Sequence, residues 1–170
     1  MRTVILLFVL ANSAFGQAAK PMKKGSGLIV EVRASSHVRM ADDVTVTVFF
    51  RSPDREVTLW NFLEWAPAAG IYLRVVDSTG KEVPSDFAPF IHPLPPDLTG
   101  KDALISIGGS VFAGFDTRIA AKTLFRKPGR YTIRCLYTPP LPRNYFQGQT
   151  IWGKEDGPAD SVPATVVVDE

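Results

Sequence analysis

Apolar and polar residues alternate along much of this chain. Val44, Val46, Val48 and Phe50 are separated by Thr45, Thr47, Phe49 and Arg51. A period of two puts the first set on one face, and β-branched residues suit a pleated surface, so 44–50 is predicted as a half-buried strand. The same period sets Leu28, Val30, Val32 and Ala34 against Ile29, Glu31, Arg33 and Ser35. It also sets Tyr131, Ile133, Cys135 and Tyr137 against Thr132, Arg134, Leu136 and Thr138. Val162, Ala164, Val166 and Val168 close the chain as a last strand, with Pro163 near its start pointing to a sheet edge. Shorter runs at 57–61, 71–77, 103–107 and 111–119 complete the series, and Ser78-Thr79-Gly80-Lys81 turns the chain into a short return at Glu82-Val83.

The punctuation between these runs is that of turns. Ser35 to Asp43 and Ser52 to Arg55 read as turn regions, and Pro128-Gly129 is a strong turn signal because Pro presets φ and Gly tolerates positive φ. Residues 62–70 suit either a loop or one helical turn. Residues 84–102 carry five prolines and read as an irregular cover or edge segment, since each proline removes a ladder donor. The stretch 139–160, PPLPRNYFQGQTIWGKEDGPAD, is a long loop, and such loops tend to be functional or mobile. Seven to nine short strands with no long helical run predict an all-β sandwich or barrel.

Composition then narrows the setting. The 170 residues suggest one domain with a real core, and 45% apolar with 21% charged residues is ordinary for a globular chain. Net charge is +2 with Lys and Arg scattered, so no basic run marks a nucleic-acid partner or an anionic membrane surface. Arg2, the apolar run Val4–Leu10 and the small residues up to Gly16 read as a cleaved secretory signal peptide over 1–16, too short for a membrane span. Residues 17–26 read as a flexible leader, and 27–170 as a single sandwich domain, secreted or periplasmic. Cys135 is the one cysteine, so the chain has no disulfide of its own. Its place on the face of Tyr131 and Ile133 predicts a buried, inert thiol in a monomer.

Two motifs carry a family likeness. Pro128-Gly129-Arg130-Tyr131-Thr132-Ile133 resembles the start of strand F in bacterial exported immunoglobulin-like and fibronectin-III-like domains, where a Tyr just after a turn closes a tyrosine corner. The pair Trp152-Gly153 followed by Ser161 to Val168 resembles the ending of such domains. The likeness implies an Ig-like antiparallel β-sandwich in which Tyr131, Gly129, Trp152 and Cys135 are structural. Ile133 stands where an antibody-type domain carries its second Cys, and the 44–50 strand holds no partner Cys, so the likeness is to disulfide-free sandwiches; Trp60 is a candidate for their buried Trp. A second likeness, to the bacterial intracellular subtilisin-inhibitor family, rests on the alternating strand, hairpin and Pro-Gly-Tyr layout and implies an inhibitor role.

No constellation for catalysis stands out. His37 and His92 lie 55 positions apart without metal-ligand spacing. Asp42, Asp43 and Asp54 lack the DxDxDG-type spacing of a calcium loop and read as solvated turn carboxylates. Gly108-Gly109-Ser110 lacks the second glycine and the helix of a nucleophile elbow. The chain therefore reads as a non-enzyme without metal or cofactor. What invites a functional reading is aromatic content in loops: Phe62 and Trp65 in 62–70, and Tyr145, Phe146 and Trp152 in 139–160. Amphipathic rings make good contacts with protein or sugar, and they serve equally to pack a long loop onto a sandwich. Arg143, Asn144, Tyr145, Phe146 and Trp65 are the expected contact residues for a protein or glycan partner in the cell envelope. An inhibitor presenting Pro139-Pro140-Leu141-Pro142-Arg143, or a subunit of an envelope assembly that offers a sheet edge, are the alternatives.

Overall fold

The computed structural model describes residues 27–61, 70–84 and 103–170. The signal peptide, the leader, Phe62, Trp65 and most of the proline-rich segment expected above lie outside the described residues. The strands are β1 (Ile29–Ala34), β2 (His37–Arg39), β3 (Asp43–Arg51), β4 (Val57–Trp60), β5 (Ile71–Asp77), β6 (Leu104–Ile107), β7 (Phe112–Ala120), β8 (Gly129–Tyr137), β9 (Ala159–Asp160) and β10 (Ala164–Asp169). One short helix, α1 (Ala121–Leu124), follows β7.

Two main sheets face each other. One has the order β1-β3-β7, and the other β2-β10-β8-β5 with β9 on β8; β4 and β6 form a separate two-stranded pair. In immunoglobulin lettering these are the A-B-E and C-F-G layers, and the protein is an Ig-like β-sandwich without a disulfide. The inward residues are those that the alternation selects. Val30, Val32, Val44, Val46, Val48 and Phe50 of one layer meet Tyr131, Ile133, Cys135, Tyr137, Val166 and Val168 of the other, all buried. Phe50 and Tyr137 touch edge to face across the layers, ring centroids 5.2 Å apart.

The resemblance to strand F has its physical counterpart. Tyr131 Oη donates to the Lys127 carbonyl at 2.8 Å, closing a tyrosine corner over the turn. Gly129 has φ 154°, which L side chains rarely adopt. Phe125 lies against the Tyr131 ring at 4.7 Å. Ser161 also has a defined task. Between β9 and β10 the ladder to β8 is interrupted, and Ser161 bridges it. Its Oγ accepts from the Cys135 N–H at 2.8 Å and its N–H donates to the Cys135 carbonyl at 2.9 Å.

Several expectations are corrected or refined. Residues 35–43 are not all turn, because His37–Arg39 forms β2, paired in parallel with Val167–Asp169. Three residues with one apolar position show no period of their own, and this strand exists through a partner 130 positions away. The main sheets are therefore not wholly antiparallel. The first strand also changes layers. The Ser35 N–H still donates to Thr45 of β3, whereas the Ser36 carbonyl accepts from Val167 of β10. Among the described residues β4 pairs only with β6, so Val57, Leu59 and Trp60 bury a flap of core beside the two layers. Last, Val162 is 45% exposed and makes an isolated parallel bridge to Glu31, so the inward series of the final strand begins at Ala164, and that strand lies between β2 and β8 instead of at the sheet edge that Pro163 suggested.

Candidate functional site

Three connections gather at the end of the sandwich where β3 and β8 finish. They are the β3–β4 turn (52–56), the β6–β7 hairpin (108–111) and the long loop after Tyr137. Arg51 pairs with Phe112, which brings the first two together. The Trp152 N–H donates to the Thr58 carbonyl at 2.7 Å, which pins the third to β4. A cleft of about 380 Å³ lies between the turn and the hairpin, lined by Asp54, Arg55, Glu56 and Ser106 with the backbone of Gly108 and Gly109. Arg55 reaches from this cleft across the Trp152 indole, 5.6 Å from the ring centroid.

The long loop is folded onto the body. The Ile151 N–H donates to Arg143, the Lys154 N–H to Leu141, the Tyr145 N–H to Pro142 and the Gln149 N–H to Phe146. Phe146, Ile151 and Trp152 are buried and belong to the core. The centre of the fold is Arg143. Its Nη2 reaches Asp156 Oδ1 at 2.6 Å and its Nε reaches Oδ2 at 3.3 Å, a two-pronged pair. Its own N–H donates to Glu155 Oε2 at 2.8 Å. Asp156 Oδ2 also accepts from the Gly153 N–H at 2.9 Å. Gly153 is required here by proximity, because a Cβ would run into the Arg143 backbone.

This network sets the local electrostatics. Partial burial pushes the Asp156 carboxyl up. The hydrogen bonds from Arg143 and Gly153 and the charges of Arg143 and Arg55 outweigh it, so the carboxyl sits below its ordinary value. Glu155 is lowered too, by backbone hydrogen bonds that include the Arg143 N–H. Away from the loop, burial pushes the Cys135 thiol up to about 12, a group with negligible thiolate at neutral pH. Burial raises the Tyr137 phenol as well.

Of the expected contact residues, the structure brings Arg143, Asn144, Tyr145 and Phe146 together on one loop. Tyr145 is 55% exposed and stands edge to face on Phe146, ring centroids 5.1 Å apart. Asn144 is exposed. Phe146 differs from expectation. At 8% exposure it is a footing for Tyr145 and for the core, with little surface to offer a partner. Arg143 is half exposed at its side chain but committed to Asp156. Trp152, Tyr131 and Cys135 are all buried.

Sequence reasoning missed Asp156, Glu155 and Arg55. No periodicity reports an ion pair thirteen positions apart, and Arg55 reads as a turn residue until Trp152 is placed beneath it. Among the described residues no three His, Cys, Asp or Glu side chains converge as metal ligands would. No described helix is long and apolar enough to cross a membrane.

The chain matches no protein-family model and no curated protein sequence. Solved structures similar to it include two of the CARDB domain of a Pyrococcus furiosus protein. For the solution structure, identity is 11% and the TM-score 0.38, covering 84% of this chain and 94% of that one. For the crystal structure, a complex with di-metal ions, identity is 11% and the TM-score 0.39, covering 92% and 99%. A likeness this distant adds nothing to the functional reading, which rests on the loop end itself.

Proposed function

We propose that this protein is a non-catalytic interaction module, exported to the periplasm or the cell exterior, whose loop end recognises a protein or glycan partner. The observation that carries the reading is the stapled 139–160 loop. It holds Tyr145 half in solvent on a buried Phe146, at the end where two further connections and a cleft converge. A folded loop loses little conformational freedom on binding, which favours recognition. Export rests on the N-terminal pattern of Arg2 and Val4–Leu10. Pull-down from the source cell's envelope fraction tests the binding claim. A Tyr145→Ala, Asn144→Ala double variant that retains the wild-type set of captured partners at wild-type yield would overturn it. N-terminal sequencing of the mature protein tests export separately.

The inhibitor alternative is less well supported. Protease-binding loops present a run of extended backbone, whereas the Pro142 and Arg143 carbonyls, the Leu141 carbonyl and the Arg143 N–H are all engaged within the loop. The assembly alternative retains one supporting observation. Among the described residues β7 ends its sheet with β3 on one side, apart from the tight Gly108–Val111 hairpin bridge. Mass measurement by size exclusion after co-purification separates a strand-adding subunit from a monomeric binder.

A further inference from the structure

The open edge of the β1-β3-β7 sheet is β7. It runs for nine residues, FAGFDTRIA, with neither proline nor lysine, the residues that commonly blunt such an edge. Its register with β3 shows which of its backbone groups are unused. The Ala121 N–H donates to the Asp42 carbonyl, and these two residues oppose each other one step beyond the pair Asp43 and Ala120. Bonding residues alternate along an antiparallel strand, so Ala113, Phe115, Thr117 and Ile119 bond to β3. Gly114, Asp116, Arg118 and Ala120 therefore turn their N–H and carbonyl groups away from it. Among the described residues no strand meets them there. The side chains of the same residues add a charge pattern. Asp116 and Arg118 are exposed on the outward face, with Thr117 between them. Asp116 accepts from the Thr47 hydroxyl, and among the described residues neither Asp116 nor Arg118 has an ion-pair partner.

We propose that a second copy of this chain pairs with β7 in antiparallel fashion about a two-fold axis at Thr117, joining two three-stranded sheets into one. Backbone geometry admits only registers in which unused residues meet unused residues. Centring the pairing on Asp116 sets Asp against Asp, and centring it on Arg118 sets Arg against Arg. Like charges directly opposite destabilise a pairing. Centring on Phe115 or Ile119 leaves both charges without a strand residue of opposite sign. Centring on Thr117 sets Asp116 of each copy against Arg118 of the other. Gly114 then meets Ala120, small against small, and on the inward face Phe115 meets Ile119. The strand is thus complementary to its own reverse, as an isologous contact requires, which favours a second copy over an unrelated strand. Main-chain hydrogen bonds supply the attraction and the charges fix the register. The contact uses the sheet edge and not the loop end, so it stands or falls apart from the function proposed above.

Light scattering after size exclusion of the purified protein is the test. Wild type is expected to show twice the chain mass, falling toward that of one chain on dilution. Asp116→Arg and Arg118→Asp each set like charges opposite one another at both ends of the contact, and each is expected to weaken the dimer about tenfold or more. Both positions are exposed, so circular dichroism and melting temperature are expected to match wild type. Mixed in equal amounts, the two single variants are expected to recover a dimer, because each opposed charged pair is then Arg with Asp. The double variant D116R/R118D exchanges the charges within one chain and is expected to dimerise as wild type does. A single-chain mass at millimolar concentration overturns the pairing. A dimer that neither single variant weakens, or a mixture of the two that stays monomeric, overturns the register.

Discussion

Replacing Tyr131 by Phe removes one hydroxyl and leaves the ring, so it isolates the tyrosine corner from core packing. Tyr131 is 3% exposed, and its Oη reaches the Lys127 carbonyl at 2.8 Å. The variant keeps the contact with Phe125 and leaves no cavity that a repacked core must fill. What is lost is a net hydrogen bond, about 0.5–1.5 kcal/mol, together with some desolvation of the stranded carbonyl, about 1–3 kcal/mol if no water reaches it. The bond is only part-buried, so the stranded carbonyl keeps some access to water and the low end applies. The expected loss is about 1–2 kcal/mol, a fall in melting temperature of about 2–8 °C for a domain of this size. Urea unfolding is the assay, with the loss appearing as a lower midpoint at unchanged slope. A loss under about 0.5 kcal/mol would mean that the corner contributes no more than an exposed hydrogen bond. A changed slope would mean that the substitution acts on the unfolded chain, and the corner argument would fail.

Further outcomes are expected. Cys135→Ala and Cys135→Ser should leave the mass in solution unchanged by light scattering. The native thiol should stay unreactive toward a disulfide reagent at pH 8 until the protein unfolds, since its pKa lies near 12. Asp156 and Glu155 titrate below their unfolded values, so the stability they lend is present above those values and is lost as pH falls through the folded ones. Amide protection around 143–156 should therefore drop below about pH 4, and Asp156→Asn should flatten that dependence; a profile in wild type that is flat down to about pH 3 rules out the staple. Gly153→Ala should cost about 1–3 kcal/mol by thermal unfolding, since its Cβ collides with the Arg143 backbone, and a neutral result would show that the two arms of the loop part freely.

The layers of the fold were legible because burial on one face of a strand leaves a local signature. Val44 to Phe50 and Tyr131 to Tyr137 display their inward positions residue by residue, and the structure buries those same residues. What was not legible depends on distant partners. His37-Val38-Arg39 has too few residues to show a period, and only Val167–Asp169 makes it a strand. Trp60 was offered as a buried Trp and is buried, yet on β4 beside the layers, a placement that only pairing with β6 reveals. The candidate site divides in the same way. The length and aromatic content of 139–160 marked the loop, whereas the direction of its rings depends on packing. Phe146 faces the core and Tyr145 faces water, though they are adjacent and chemically alike.

The exchange of layers at Ser35–Ser36 sets how the domain carries mechanical load. Beyond it, β2 and β10 run parallel, with Val167 opposite His37 and Asp169 opposite Arg39. Hydrogen bonds to the Ser36 and Asp169 carbonyls tie the two ends of this pairing. Tension applied between the two ends of the domain pulls these strands lengthwise past each other. The bonds across the pairing must then yield together, whereas a hairpin pulled at its open end unzips one bond at a time. A domain joined in this way to an anchored neighbour would transmit force along its long axis with little extension before it opens.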